Sequence, residues 1–143
     1  MNGIKRFSLR ISFLFVLFLA FSPACKDDFN SSIPYVEVNF SFNLSNANGL
    51  TTVGFPVYFN GGYGGIVIIN ADYSYYAYDV TCPYEIDFNC RIEGDGPIGT
   101  CPCCGSQYNL LDGGYVIGGT GPATEPLKQY RVTSSGNRLS VTN

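Results

Sequence analysis

The alternation of apolar and polar residues along the chain predicts a series of short β-strands. In residues 34–44 an apolar side chain recurs at every second position from Val36 to Leu44, as expected for a strand with one buried face. Residues 65–69 are a continuous apolar run after an initial glycine, which predicts a strand buried on both faces. Further candidate strands, separated by glycine-rich turns, cover residues 55–59, 75–80, 115–117, 128–132 and 139–142. Because no window has a convincing helical period, the pattern predicts an all-β domain, a small sandwich or barrel.

The first 25 residues have the pattern of a secretory signal. Residues 1–10 are basic and contain no acid, residues 11–21 are almost wholly apolar, and residues 22–25 read Ser-Pro-Ala-Cys. The apolar run is too short to span a bilayer but has the length of a signal-peptide core. Small residues before a cysteine resemble the lipobox of bacterial lipoproteins, in which the cysteine is lipidated. The resemblance implies a signal peptide at residues 1–24 and lipidation of Cys25. The alternative is a plain secretory peptide with Cys25 as an ordinary thiol.

The residues after Cys25 bear on the location of the protein. Residues 26–28 read Lys-Asp-Asp, which resembles the tag that directs Bacteroidetes-type lipoproteins to the outer face of the outer membrane, although a solvated tether would have the same composition. We expect an outer-membrane lipoprotein, on the periplasmic or the cell-surface side, with the membrane as a partner through the lipid at Cys25. Residues 25–32 would be the lipidated cysteine and a linker, and residues 33–143 the folded domain.

Composition narrows the chemistry that this domain can perform. The 143 residues include eight basic and eleven acidic side chains and no histidine. This balance argues against nucleic acid as a partner, because little positive charge is present to neutralise phosphates. The absence of histidine excludes Ser-His-Asp and Cys-His catalysis and histidine-ligated metal sites. The acids lack a paired signature, so an enzyme is less expected than a carrier or a non-catalytic module. We interpret Asp79, Glu85 and Asp87 as solvated loop charges.

Five cysteines besides Cys25 carry the candidate chemistry: Cys82, Cys90, Cys101, Cys103 and Cys104. An oxidising compartment allows disulfides, but an odd number of cysteines cannot all pair within one monomer. Cys101 and Cys104 have the Cys-x-x-Cys spacing of a metal knuckle, in which a tight turn points two thiolates at one ion. The same spacing occurs in redox dithiols, but the βαβ pattern that accompanies them is missing from this sequence.

Two stretches of the sequence resemble the Rieske iron–sulfur domain. Residues 101–109 read Cys-Pro-Cys-Cys-Gly-Ser-Gln-Tyr-Asn, against the family's second box, Cys-Pro-x-His-Gly-Ser-x-Phe/Tyr-Asp. Residues 121–132 read Gly-Pro-Ala-Thr-Glu-Pro-Leu-Lys-Gln-Tyr-Arg-Val, which matches the sequel that the family usually carries. The family's first box, Cys-x-His, falls on residues 82–84, and residues 76–79, Tyr-Ala-Tyr-Asp, precede it as in the family. The resemblance runs from about residue 65 to the C-terminus, and it implies a small antiparallel sandwich or barrel with a two-loop cysteine subdomain.

The same resemblance assigns roles to single positions. The family's two cysteine ligands fall on Cys82 and Cys101, whereas its two histidine ligands fall on Tyr84 and Cys104. The usual site, with a histidine pair on one iron, therefore cannot form in this chain. We refer to Cys82, Cys101 and Cys104 as the cysteine trio.

Three arrangements of the cysteines remain open at this point. Many family members have a disulfide between the two loops, for which Cys103 would be one half and Cys90 is a candidate for the other. In the first arrangement the cysteine trio holds a cluster, Tyr84 or a foreign group is the fourth ligand, and Cys90 pairs with Cys103. In the second, Cys90 joins the trio as a fourth thiolate for a 2Fe–2S cluster, a single iron or zinc, and Cys103 is spare. In the third, the metal is lost, and disulfides such as Cys90–Cys103 staple the loops, each worth roughly 2–4 kcal/mol.

The resemblance implies a lipid-anchored 2Fe–2S domain that exchanges electrons with a redox partner protein that the sequence does not name. Replacing imidazoles by thiolates adds negative charge near the iron, so we expect a reduction potential near about −400 mV rather than in the Rieske range. The alternative is a degenerate Rieske scaffold, held by disulfides or zinc, that acts as a non-catalytic surface binding or structural module.

Overall fold

The computed structural model describes residues 31–143, which contain nine β-strands and two short 3₁₀ turns. The strands are β1 (Asn39–Asn43), β2 (Pro56–Phe59), β3 (Ile66–Asn70), β4 (Tyr75–Asp79), β5 (Ile98–Thr100), β6 (Ser106–Asn109), β7 (Val116–Gly119), β8 (Gln129–Ser135) and β9 (Arg138–Thr142). The 3₁₀ turns are Leu44–Asn46 and Asn48–Thr51. Within these residues no helix is long and apolar enough to cross a bilayer. The predicted signal peptide and Cys25 lie outside the described residues.

The strands form two antiparallel sheets. The larger sheet has the order β1-β9-β8-β4-β3-β2, and the smaller has the order β5-β6-β7. The predicted all-β class is therefore confirmed. β1 begins at Asn39 rather than at residue 34, where the predicted strand begins. The sequence pattern does not predict β5 and β6, since the segments Ile-Gly-Thr and Ser-Gln-Tyr-Asn have no continuous apolar alternation.

β3 is buried on both faces, as its continuous apolar run predicts. Ile66 and Ile68 pack into one hydrophobic core of the large sheet. Val67 and Ile69 point the other way, as alternation along a strand requires, and pack into a second core. That second core also contains the two buried members of the cysteine trio, together with Tyr108 of β6. One face of the large sheet thus packs against the cysteine loops through apolar side chains.

Asp79 at the end of β4 is fully buried, so our prediction of a solvated charge is wrong for this residue. Its Oδ2 accepts hydrogen bonds from the N–H of Tyr63 at 2.6 Å and from the hydroxyl of Tyr130 at 2.8 Å. Its Oδ1 accepts from the N–H of Gly64 at 3.1 Å and from the N–H and hydroxyl of Thr81 at 3.0 and 2.6 Å. Burial and the charge of Asp79 raise the pKa of Tyr130, which therefore keeps its proton and donates it. The carboxylate ties β4 to β8 and to the glycine-rich loop before β3.

Candidate metal centre

Two loops carry the cysteines. The first cysteine loop, residues 80–92, follows β4, and the second cysteine loop, residues 101–105, joins β5 to β6. The second loop is a tight turn, in which the N–H of Gly105 donates to the carbonyl of Cys101 at 2.8 Å and the N–H of Cys101 donates to the carbonyl of Ser106 at 2.9 Å. Gly105 has a φ of +76°, a left-handed conformation that glycine adopts without steric cost. This turn directs Cys101 and Cys104 toward the first loop.

A disulfide joins the two loops. The structure pairs Cys90 with Cys103 across a Cα–Cα distance of 5.5 Å, within the ordinary range for a disulfide. The N–H of Cys82 donates to the carbonyl of Cys90 at 3.1 Å, so the first loop closes on itself beside this bridge. Because the sulfur of Cys90 is bonded to that of Cys103, it is not free to be a fourth ligand. The four-thiolate arrangement is therefore not the one that the structure contains.

The cysteine trio brings three free thiols together. The sulfurs of Cys82, Cys101 and Cys104 all lie within 4.8 Å of one another, and those of Cys82 and Cys104 are 3.7 Å apart. Two thiolates bound to one tetrahedral ion, each at about 2.3 Å from it, are about 3.8 Å apart. Cys82 and Cys101 are buried, whereas Cys104 is partly exposed. The trio therefore has the spacing of metal ligands, with two sulfurs in the core and one near the surface.

Neighbouring hydroxyl groups contact two of these sulfurs. The hydroxyl oxygen of Tyr108 is 3.6 Å from Sγ of Cys82, and Oγ of Ser106 is 3.2 Å from Sγ of Cys104. Burial raises the pKa of Tyr108, as does its hydrogen bond with Cys82, so the phenol keeps a proton to donate to a thiolate. Burial also raises the pKa of Cys101, to about 12. Burial opposes ionisation of Cys104 too, but hydrogen bonds with Ser106 and with the other two sulfurs outweigh it and lower the pKa.

A tetrahedral site needs a fourth ligand besides the trio. Tyr84, which the resemblance aligns with a histidine ligand, is 56% exposed. The next residue, Glu85, is only partly exposed, and its Oε2 is shielded from solvent without a hydrogen-bond partner among residues 31–143. A carboxylate oxygen of Glu85 and the sulfurs of Cys101 and Cys103 lie within 4.8 Å of one another.

Glu85 is thus the residue near the trio that the sequence interpretation missed. Asp87 is exposed, as expected for a solvated loop charge, whereas Glu85 is only partly exposed. The available signal was its place in the sequence, since Glu85 follows Cys82 by three positions in the Cys-Pro-Tyr-Glu segment. That signal is weak, because spacing alone does not say which way a loop side chain turns.

The donor set decides which metals these residues fit. A Rieske cluster needs two imidazoles on one iron, and the chain contains no histidine. Three thiolates with a carboxylate beside them suit an iron–sulfur cluster, a single iron or zinc. The residues therefore fit a thiolate-ligated metal centre.

Comparison with known proteins bears on the fold. No protein-family model matches the chain, and no curated protein matches its sequence. Among solved structures, the cyanobacterial plasma membrane Rieske protein PetC3 from Synechocystis PCC 6803 is similar, with a TM-score of 0.53 and 22% identity over 76% of this chain and 100% of that chain. A chain from the complex of reduced oxygenase and oxidized ferredoxin in carbazole 1,9a-dioxygenase has a TM-score of 0.53 and 19% identity over 75% of this chain and 94% of that chain. These similarities, with the two antiparallel sheets and the paired cysteine loops, show that the chain has the Rieske fold.

Proposed function

We propose that the chain is a lipid-anchored electron-transfer protein whose 2Fe–2S cluster is held by the cysteine trio. The observation that carries this proposal is the group of three free sulfurs within 4.8 Å, in two loops that a disulfide clamps together. In an oxidising compartment, free thiols this close tend to form a disulfide. Ligation of a metal would explain why each of the three thiols remains unpaired.

The fold supports the same function. The similar structures include a Rieske protein and a chain from an oxygenase–ferredoxin complex. Cys82 and Cys101 would anchor the cluster in the apolar core, while the partly exposed Cys104 would face the side from which a redox partner protein can approach. Bound there, the cluster would supply one-electron redox chemistry. Tyr108 would donate a hydrogen bond to the thiolate of Cys82.

Thiolate ligation also predicts a value for the reduction potential of the cluster. A site without imidazole ligands is expected near about −400 mV, in the region of plant-type ferredoxins rather than of Rieske centres. Since no ligand histidine can ionise, the potential is expected to be independent of pH near neutrality. A potentiometric titration that gave a value above zero millivolts, or a steep pH slope near neutrality, would contradict this assignment.

A second candidate function is a structural or binding module that holds one zinc ion. The distance that favours it is the 3.7 Å between the sulfurs of Cys82 and Cys104, since this is the spacing of two thiolates on a single tetrahedral ion. Zinc has no redox chemistry, so such a domain would be a non-catalytic surface module that combines a metal with the Cys90–Cys103 bridge.

Metal analysis separates the two functions. The full-length chain, purified in detergent without air, should contain iron and acid-labile sulfide, absorb visible light and bleach on reduction. A Cys104→Ser variant should lose the cluster, whereas a Ser135→Ala variant, changed at an exposed position in β8, should keep it. Zinc in a colourless protein would favour the structural module, and a protein without any metal would refute the proposed electron transfer.

We also propose that the lipid at Cys25 anchors this domain at the outer membrane. The support is the Ser-Pro-Ala-Cys segment after an apolar run. Mass spectrometry of the mature N-terminal peptide should show cleavage before Cys25 and a diacylglyceryl addition on it. Proteolysis of intact cells then distinguishes the cell surface, where the domain is degraded, from the periplasmic side, where it is protected.

A further inference from the structure

We propose that the carboxylate of Glu85 is the fourth protein ligand of the metal held by the cysteine trio. This inference rests on the proposed function only in requiring that the trio binds a metal. It adds an oxygen ligand that the sequence interpretation did not include. It holds for a cluster and for a single ion alike.

Position is the first argument. A carboxylate oxygen of Glu85 lies within 4.8 Å of the sulfur of Cys101, which is itself within 4.8 Å of the sulfurs of Cys82 and Cys104. The sulfur of Cys103 is also within this distance of Glu85, but it is bonded to Cys90. Among these neighbours of Glu85, the free donor is therefore Cys101, a member of the trio.

The state of the carboxylate is the second argument. Oε2 of Glu85 is shielded from solvent and has no hydrogen-bond partner among the described residues. Burying a carboxylate oxygen without a partner is unfavourable, because the oxygen loses its hydrogen bonds to water and no other hydrogen bond or opposite charge replaces them. A cation bound beside Cys101 would supply the missing partner. Glutamate oxygen is an established ligand of zinc at about 2.0–2.2 Å, alongside cysteine sulfur.

The competing fourth ligands are less well placed. Cys90 is consumed by the disulfide with Cys103. The side chain of Tyr84 is 56% exposed, so much of it faces solvent. A hydrogen bond from the N–H of Asp87 to the carbonyl of Glu85, at 2.8 Å, holds the local turn.

Cobalt binding to the full-length chain tests this inference. Metal is removed without air in detergent, Co²⁺ is added, and the visible spectrum and the dissociation constant are measured for the wild type, Glu85→Gln and Asp87→Asn. Asp87 is an exposed carboxylate of the same loop and serves as the matched control. Glu85→Gln is expected to weaken Co²⁺ binding at least about tenfold, since even loss of a group that only supports a ligand costs 10–100-fold. The ligand-field bands should also shift, whereas Asp87→Asn should match the wild type.

A further variant separates the loss of a ligand from a folding defect. Glu85→Cys offers a fourth thiolate, so it should bind Co²⁺ with stronger sulfur-to-metal charge-transfer absorption than the wild type. If the wild type binds Co²⁺ and Glu85→Gln matches it in affinity and spectrum, Glu85 is not a ligand, although the proposed function stands. If the wild type binds neither Co²⁺ nor iron, the site takes no metal and both proposals are refuted.

Discussion

Replacing Asp79 with asparagine should destabilise the domain far more than a conservative substitution normally does. Asparagine has nearly the same shape as aspartate, so the substitution changes hydrogen bonding and charge without opening a cavity. The carboxylate of Asp79 is fully buried and accepts five hydrogen bonds, three from backbone N–H groups and two from hydroxyls. Every one of the five partners is a donor, and an amide offers only one acceptor oxygen.

The size of the stability loss depends on which carboxylate oxygen of Asp79 the amide nitrogen of asparagine replaces. If it replaces Oδ2, the N–H of Tyr63 loses its acceptor, and if it replaces Oδ1, the N–H groups of Gly64 and Thr81 lose theirs. One unsatisfied buried donor costs about 1–3 kcal/mol, and the remaining bonds lose their charge-assisted strength. Relief from burying a charge offsets part of this. We expect a loss of about 2–4 kcal/mol, which for a domain of this size lowers Tm by roughly 10–20 °C.

Thermal and urea denaturation, followed by circular dichroism, measure this loss. Tyr130→Phe is the matched control, because it removes one of the five donors and leaves the carboxylate intact. The control should cost about 1 kcal/mol. A Tm of Asp79→Asn within about 2 °C of the wild type, at an unchanged urea slope, would show that the carboxylate does not organise these strands.

Three further predictions concern the cysteine loops. Replacing both Cys90 and Cys103 with alanine should cost about 3 kcal/mol in urea denaturation, because the bridge closes a loop with a sequence separation of 13; a loss below about 1 kcal/mol would mean that the bridge does not constrain the unfolded chain. Gly119→Ala should cost at least about 2 kcal/mol, because Gly119 has a φ of +92° and a Cβ there would overlap the carbonyl oxygen of Gly105; an unchanged Tm would contradict the observed packing. In the metal-free protein, iodoacetamide should label Cys104 before the other two free cysteines, which are buried, because Cys104 is partly exposed and has a lowered pKa. Peptide mass mapping over time checks the order, and simultaneous labelling of all three would be evidence against it.

The buried Asp79 and the shielded carboxylate oxygen of Glu85 show where sequence interpretation fails. Both residues flank the first box, and in the sequence both look like ordinary loop carboxylates. Several of the donors around Asp79 come from distant parts of the chain, most clearly Tyr130, which is 51 positions away. Glu85, in the first cysteine loop, lies near Cys101 of the second, and the Cys90–Cys103 bridge joins these two loops. No local pattern carries either contact.

The sequence alone determined most of the strands and the types of donor available to a metal. Apolar alternation and an unbroken apolar run specify the strands other than β5 and β6, including the doubly buried β3, because side chains alternate between the two faces of a strand. The Cys-x-x-Cys spacing and the following glycine specify the tight turn of the second cysteine loop, and the lack of histidine restricts any metal centre to thiolate and oxygen ligands. Only the tertiary structure decided how the cysteines divide between the bridge and the trio, because cysteine connectivity depends on which loops meet in space. The same holds for the buried Asp79 and for the carboxylate of Glu85, whose surroundings are built from residues that the fold, and not the order of the chain, makes neighbours.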